Sequence, residues 1–186
     1  FGNADFGIPT LNKILSSKKH SLIEVVTNPD KKSGRGNIKS STPIKKWAID
    51  KNVKVVEIDN LKNQKFINHL NKSGADLFMV IAYKIISPNI FNIPDFGTMN
   101  LHASLLPRYR GAAPIQRVIL EGKKHTGITT FIINRKIDKG KIILQEKISI
   151  SNNDNYTLLY KKLSNAGADL VANSLDYLID KKPLKN

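Results

Sequence analysis

The sequence predicts an α/β domain built on a doubly wound, mostly parallel sheet of Rossmann-like type. Short apolar, β-branched runs at residues 22–27, 53–58, 75–82 and 97–103 alternate with stretches of helical period, the rhythm of strands joined by right-handed helical crossovers. The run Ala75-Asp76-Leu77-Phe78-Met79-Val80-Ile81-Ala82 is apolar almost throughout, as a strand buried on both faces should be. A length of 186 residues, 40% of them hydrophobic, with no internal repeat or low-complexity tract, suits one domain with a sizeable core.

The elements follow in order. Residues 1–7 read as the end of a strand and a tight turn into a helix over about 4–17. The apolar residues that normally open such a sheet are missing, so the chain reads as a fragment. Gly2 and Gly7 form no G-x-G-x-x-G fingerprint, which argues against a bound dinucleotide. A buried strand at 22–27 is stopped by Asn28-Pro29-Asp30, and a long polar loop then runs to about Thr42. Loops of this length without secondary structure are often functional; this one could equally be a solvated excursion. A helix over 43–52 follows, with Pro43 in its first turn and Ile44, Trp47 and Ala48 on one face. Trp47 is assigned to the core. Next come a strand at 53–58, a helix at 63–72 and the apolar strand at 75–82. Beyond residue 111, Pro114 to Gly122 has Pro at its start and Gly past its end, a helix signature. Strands at 126–133 and 142–150 flank the turn Ile137-Asp138-Lys139-Gly140-Lys141 and should pair antiparallel. A helix over 155–179 carries Leu159, Leu163, Ala166, Leu170 and Leu178 on one face. His20, His69 and His125 are read as surface residues.

Composition narrows the chemistry. There is no cysteine, which excludes a disulfide framework, a thiol nucleophile and thiolate metal ligands. No apolar run reaches the ~18 residues of a membrane span, and no signal-peptide pattern opens the chain, so a cytoplasmic location and no membrane partner are expected. The net charge of +15 attracts polyanions, nucleic acid first; a lysine-rich genome bias would give the same excess without a partner.

One stretch stands apart: Met99-Asn100-Leu101-His102-Ala103-Ser104-Leu105-Leu106-Pro107-Arg108-Tyr109-Arg110-Gly111. Asn100 and His102 lie two apart at a strand end and share a face of the sheet. An amide and an imidazole at a strand mouth suit acyl-group chemistry; they also suit a strand with two ordinary polar residues on its outer face. Asp138, on local pattern, is a turn former.

Asn-x-His-x-Ser-Leu-Leu-Pro-x-x-x-Gly resembles the signature of the folate-dependent formyltransferases. The longer string from His102 to Arg117 is similar to the methionyl-tRNA formyltransferase branch, and the likeness extends through Asn28 to Lys45 and Thr126 to Gly140. The resemblance implies the formyltransferase fold as a single amino-terminal catalytic domain over residues 1–186, with a barrel-like domain beyond it. It implies transfer of a formyl group from 10-formyltetrahydrofolate to the amino group of methionyl initiator tRNA, in a monomer that needs no metal. Asn100, His102 and Asp138 would be the catalytic residues. Ser104, Leu105, Leu106 and Pro107 would contact the folate, with Tyr83 and Ile85 beside its pterin. Lys84 stands where the family usually has glycine. Arg35, between Gly34 and Gly36, would reach the acceptor end of the tRNA, with Lys31, Lys32 and Lys39 on phosphates. Lys139 and Lys141 depart from the family's common residues. A formyltransferase acting on a nucleotide amino sugar or glycinamide ribonucleotide would share the catalytic trio but lack the loop around Arg35. A non-enzymatic RNA-binding α/β module would fit the charge.

Overall fold

The computed structural model describes residues 1–33 and 38–181, with the backbone alone at 32–33 and 38–39. Arg35 therefore lies outside the described residues. The chain runs through a 3-10 turn (Asp5–Gly7), α1 (Ile8–Leu15), β1 (Val25–Thr27), β2 (Lys31–Ser33), β3 (Ile38–Ser40), α2 (Pro43–Asp50), β4 (Val55–Glu57) and α3 (Gln64–Asn71). It continues through β5 (Phe78–Val80), α4 (Pro88–Phe91), β6 (Thr98–His102), α5 (Pro114–Leu120), β7 (His125–Ile132), β8 (Lys141–Ser149) and α6 (Tyr156–Ile179).

β1 pairs parallel with β4 and β5 pairs parallel with β6, whereas β6–β7 and β7–β8 are antiparallel. Phe1 and Gly2 stitch the two parts into one surface. The Phe1 amine donates to Met79 O at 2.7 Å, Ile81 N to Phe1 O at 2.9 Å, and Gly2 N to Val26 O at 3.0 Å. The order is thus β4, β1, residues 1–2, β5, β6, β7, β8. Parallel pairing gives way to antiparallel at β6. This is the expected α/β sheet, with the antiparallel edge formed as predicted.

Alternation along the strands sorts the core. Met99 and Leu101 of β6, 0% and 4% exposed, pack with α1, α6 and β7 through Ile14, Leu159, Leu163 and Ile128. Phe78 and Val80 of β5 face the other way, toward Phe66 and Leu70 of α3 and Ile90 and Phe91 of α4. Val25, Ile44, Trp47 and Ala48 form a third cluster, so Trp47 is core as expected. Each fully buried Val, Leu, Ile, Phe or Met side chain among them stabilises the fold by roughly 1.5–3 kcal/mol. Caps fall where the sequence offers them: Thr42, Asn63 and Asn155 each accept a backbone N–H at the start of α2, α3 and α6.

Three expectations need correction. Residues 28–42 are not wholly without regular structure: β2 and β3 pair antiparallel, with Lys31 opposite Ser40 and Lys32 opposite Lys39. Two three-residue strands, Lys31–Ser33 and Ile38–Ser40, are too short and too polar to carry an apolar alternation, so the pattern is silent there. The strands expected at 22–27 and 75–82 are each only three residues long. Leu22, Ile23, Glu24, Ala75 and Leu77 instead line a 560 Å³, mostly apolar cavity between β1 and β5, where Phe1 and Gly2 bridge the sheet. His20 and His69 are not plain surface residues. His20 Nε2 lies 3.1 Å from Asp176 and His69 Nε2 lies 2.8 Å from Glu24, whereas His125 is exposed.

Candidate active site

The site is built where β6 ends. Asn100 stands opposite Val80 of β5 and Phe131 of β7, and His102 opposite Thr129. The pleat turns both side chains away from the Met99–Leu101 face, so they share one side of the sheet as predicted. His102 is buried and Asn100 half-buried. Among the described residues the Asn100 amide has no hydrogen-bond partner. The His102 ring has one: its Nε2 lies 2.9 Å from the carbonyl oxygen of Tyr109. A carbonyl can only accept, so Nε2 carries the hydrogen and Nδ1 points elsewhere.

Nδ1 points at Asp138. Its distance to Asp138 Oδ2 is 3.8 Å, inside ion-pair range but too long for a direct hydrogen bond. Asp138 reaches this place from the β7–β8 connection, and that same Oδ2 accepts the Gly111 N–H at 2.7 Å. The Asp138 carbonyl accepts from Arg110 Nε at 2.7 Å. Asp138 has φ +49°, in the left-handed region that Asp tolerates better than most residues. Two residues further on, a Cβ added at Gly140 would lie 1.7 Å from Ile132 O. Only glycine lets this turn fold back against β7 and present Asp138. The imidazole and carboxylate are thus brought together from two segments, with the Asn100 amide on the same face of the sheet as the imidazole.

The segment from Ser104 to Tyr109 is pinned from below by β7 and β8. Thr129 Oγ1, fully buried, donates to Ser104 O at 2.7 Å and accepts from Leu106 N at 3.2 Å and Gln145 Nε2 at 2.8 Å. Gln145 Nε2 also donates to Leu106 O at 2.9 Å. Ser104 is buried and its hydroxyl donates to Arg108 O at 2.6 Å, so it is committed to the loop's own shape. Leu106 is buried, Leu105 half-buried and Pro107 exposed, and the Leu106–Pro107 peptide is cis. Tyr109 and Ala113 take positive φ, +56° and +54°, at a typical cost of about 1–3 kcal/mol each. That strain sits on both sides of Gly111, whose N–H binds Asp138.

On the neighbouring strand, Tyr83 and Ile85 follow β5 at the same edge of the sheet. The Tyr83 ring contacts Phe1, with centroids 5.9 Å apart, and its buried hydroxyl has no partner among the described residues. Burial, and secondarily the charge of Asp59, pushes its phenol up to about 12. Ile85 is 76% exposed, an apolar side chain left open at a strand mouth. Lys84 turns away and donates to the Asp59 carbonyl; the left-handed residue in this loop is Ala82, φ +48°. Asn28 Oδ1, past the end of β1, is likewise buried without a partner. Lys31 is exposed, and nothing is described for the side chains of Lys32 and Lys39. The sequence offers no signal for the roles of Thr129, Gln145 or the Tyr109 carbonyl, because each acts through a backbone contact set by the tertiary fold.

Among the described residues, no group of His, Cys, Asp and Glu could hold a metal ion, and no helix is long and apolar enough to cross a membrane.

The site thus lies on an α/β sheet that turns antiparallel at a strand ending in Asn-x-His, with a carboxylate delivered from the next hairpin. A family model described as formyl transferase matches residues 1–175, and the chain belongs to the formyl transferase family. It is 43% identical over 186 residues to the methionyl-tRNA formyltransferase of Caldicellulosiruptor saccharolyticus, covering 99% of this chain and 60% of that one. It is 37% identical over 179 residues to that of Bacteroides thetaiotaomicron, covering 96% and 55%. The chain therefore spans little more than half the length of these curated relatives. Among solved structures, the phosphoribosylglycinamide formyltransferase of Bacillus halodurans superposes with a TM-score of 0.79 at 21% identity, covering 97% of this chain and 94% of that one. That of Brucella melitensis gives 0.79 at 16% identity, covering 100% and 96%. At such identities these two establish the fold.

Proposed function

We propose that this chain is the catalytic portion of a cytoplasmic enzyme that formylates the amino group of methionyl initiator tRNA, with 10-formyltetrahydrofolate as donor. The observation that carries the reading is the approach of Asp138 to His102 at 3.8 Å, with Asn100 two residues away on the same face of β6. The identity to methionyl-tRNA formyltransferases over nearly the whole chain supports the choice of acceptor. The donor supplies the formyl carbon and leaves as tetrahydrofolate. The attacking amine adds to that carbon, and negative charge develops on the formyl oxygen. The unpartnered Asn100 amide donates to this oxygen. His102, held by the Tyr109 carbonyl, stands beside it to stabilise the charge or pass a proton to the leaving nitrogen. Asp138 offsets positive charge on His102 and helps take a proton from the amine. The open apolar side chain of Ile85 and the partnerless Tyr83 hydroxyl suit an aromatic donor with polar edges, next to residues 104–107. Arg35 and the lysines at 31, 32 and 39 bind the acceptor end of the RNA. The molecule acts as a monomer.

The test offers the full chain 10-formyltetrahydrofolate with three acceptors: methionyl initiator tRNA, glycinamide ribonucleotide and a nucleotide amino sugar. Formyl-methionyl-tRNA is the expected product. Transfer only to a small amine overturns the choice of acceptor. Salt-sensitive RNA binding with no transfer and no folate binding makes the chain a binding module instead.

A further inference from the structure

A second cavity, of 320 Å³, opens on the other side of the segment that holds His102. Leu105 and Tyr109 form one wall, and Arg108, Lys123, His125 and Lys147 surround it. His125 and Lys147 come from neighbouring strands at adjacent register positions, opposite Ser149 and Gly127, and so rise on the same face. Gly127, opposite Lys147, lets the Leu105 wall pack down onto the strand: a Cβ there would meet Leu105 at 2.6 Å and the Glu146 carbonyl at 2.2 Å. Among the described residues Arg108, His125 and Lys147 form no ion pair. The carboxylate in contact with this rim, Glu121, is already bonded to the Tyr109 hydroxyl at 2.6 Å and lies 3.6 Å from Lys123. The hydrogen bond from Tyr109 holds the Glu121 carboxyl below its usual range. Four basic side chains therefore converge on a concavity with one carboxylate, itself engaged.

We propose that this cleft binds a phosphate ester. Backbone phosphates of an RNA strand and a free phosphate share the chemistry it recognises: compact, multiply charged oxyanions that accept from guanidinium and ammonium donors. The cleft touches none of Asn100, His102 and Asp138 and shares only Leu105 with the residues proposed to meet the folate, so its anion contact lies beside the reacting groups and not among them. Its wall is continuous with the loop whose Tyr109 carbonyl orients His102, which places a bound phosphate within a few residues of the reaction centre.

The experiment measures binding of a fluorescent 12-nucleotide single-stranded RNA by anisotropy over a salt series, with and without tripolyphosphate as competitor. The double variant Lys123→Ala/Lys147→Ala is compared with Lys62→Ala/Lys72→Ala, which removes two exposed lysines elsewhere. The cleft variant should bind RNA on the order of tenfold more weakly, and its slope of log affinity against log salt should fall by about 1.4, the ~0.7 per phosphate of single strands. The control pair should change neither beyond a small uniform loss. Competition by tripolyphosphate at low concentration assigns the site to free phosphates as well; its failure to compete assigns it to the RNA backbone. Equal losses in both variants, or none in the cleft variant, overturn the proposal. Circular dichroism melting of each variant separates lost binding from lost fold. RNA binding is read without formyl transfer, so a chain inactive toward methionyl-tRNA still decides the outcome.

Discussion

At the scale of single residues, the groups proposed to form the reaction centre have roles that can be separated by substitution. Asn100 makes no hydrogen bond among the described residues and is half-buried, so Asn100→Ala should leave the melting temperature nearly unchanged. Loss of one oxyanion donor should slow formyl transfer ~100–1000-fold; an unaltered rate removes Asn100 from the chemistry. Asp138→Asn retains an oxygen for the Gly111 N–H and a residue type that tolerates positive φ, but removes the charge facing His102 Nδ1. It should fold as the parent and lose ~100-fold or more in rate. Asp138→Ala should also lose stability, because the Gly111 N–H then has no acceptor. Asn100 and His102 could be placed on one face from their spacing alone. Asp138 could not, since its local sequence shows only a turn and its role emerges when residues 133–140 fold back across the sheet.

At the scale of elements, β7 and β8 act as a bed on which the reactive segment rests. Thr129 is the clearest test: Thr129→Val keeps the shape and removes the one oxygen that serves Ser104, Leu106 and Gln145. Stranding buried partners should cost about 1–3 kcal/mol, read as a lower midpoint in chemical denaturation, and should slow catalysis by loosening residues 104–109. Gly140→Ala must displace the Ile132 carbonyl or the turn itself, so activity should fall more than stability. The longer helices were legible because their caps and apolar faces are local. α6 is bounded by Asn155, and four of its five predicted face residues, Leu159, Leu163, Leu170 and Leu178, are buried, with Ala166 packed against the core. β2 and β3 were not, because a short polar hairpin rests on backbone pairing that leaves no hydrophobic period. β1 and β5 were drawn too long for a related reason: apolarity marks what can be buried, whereas a strand also needs a hydrogen-bonded neighbour.

At the scale of the whole molecule, two groups on separate elements give stability an alkaline limit. Burial lifts the Tyr83 phenol from an ordinary 10.0 to about 12, and hydrogen bonds to Asp30 first and Glu57 second lift the Lys45 ammonium above 10.5. In both cases the folded chain keeps a proton the unfolded chain has lost. Their contribution is complete below about pH 10 and disappears as pH rises through the folded values. The denaturation midpoint should therefore decline between pH ~10 and ~12, and replacing Tyr83 with Phe should flatten part of that decline. The last element also closes on the first. Ser164 Oγ donates to Phe6 O at 2.8 Å, Lys13 meets Asp169 at 2.6 Å, and Leu159, Leu163 and Val171 cover Ile14, Met99 and Ile128. During synthesis this apolar floor stays wet until α6 has left the ribosome. At ~5–20 residues per second those 24 residues take ~1–5 s to make. For that interval the nascent chain presents greasy surface to chaperones, and a polypeptide cut short before Tyr156 should be cleared by proteases rather than persist as a smaller working domain.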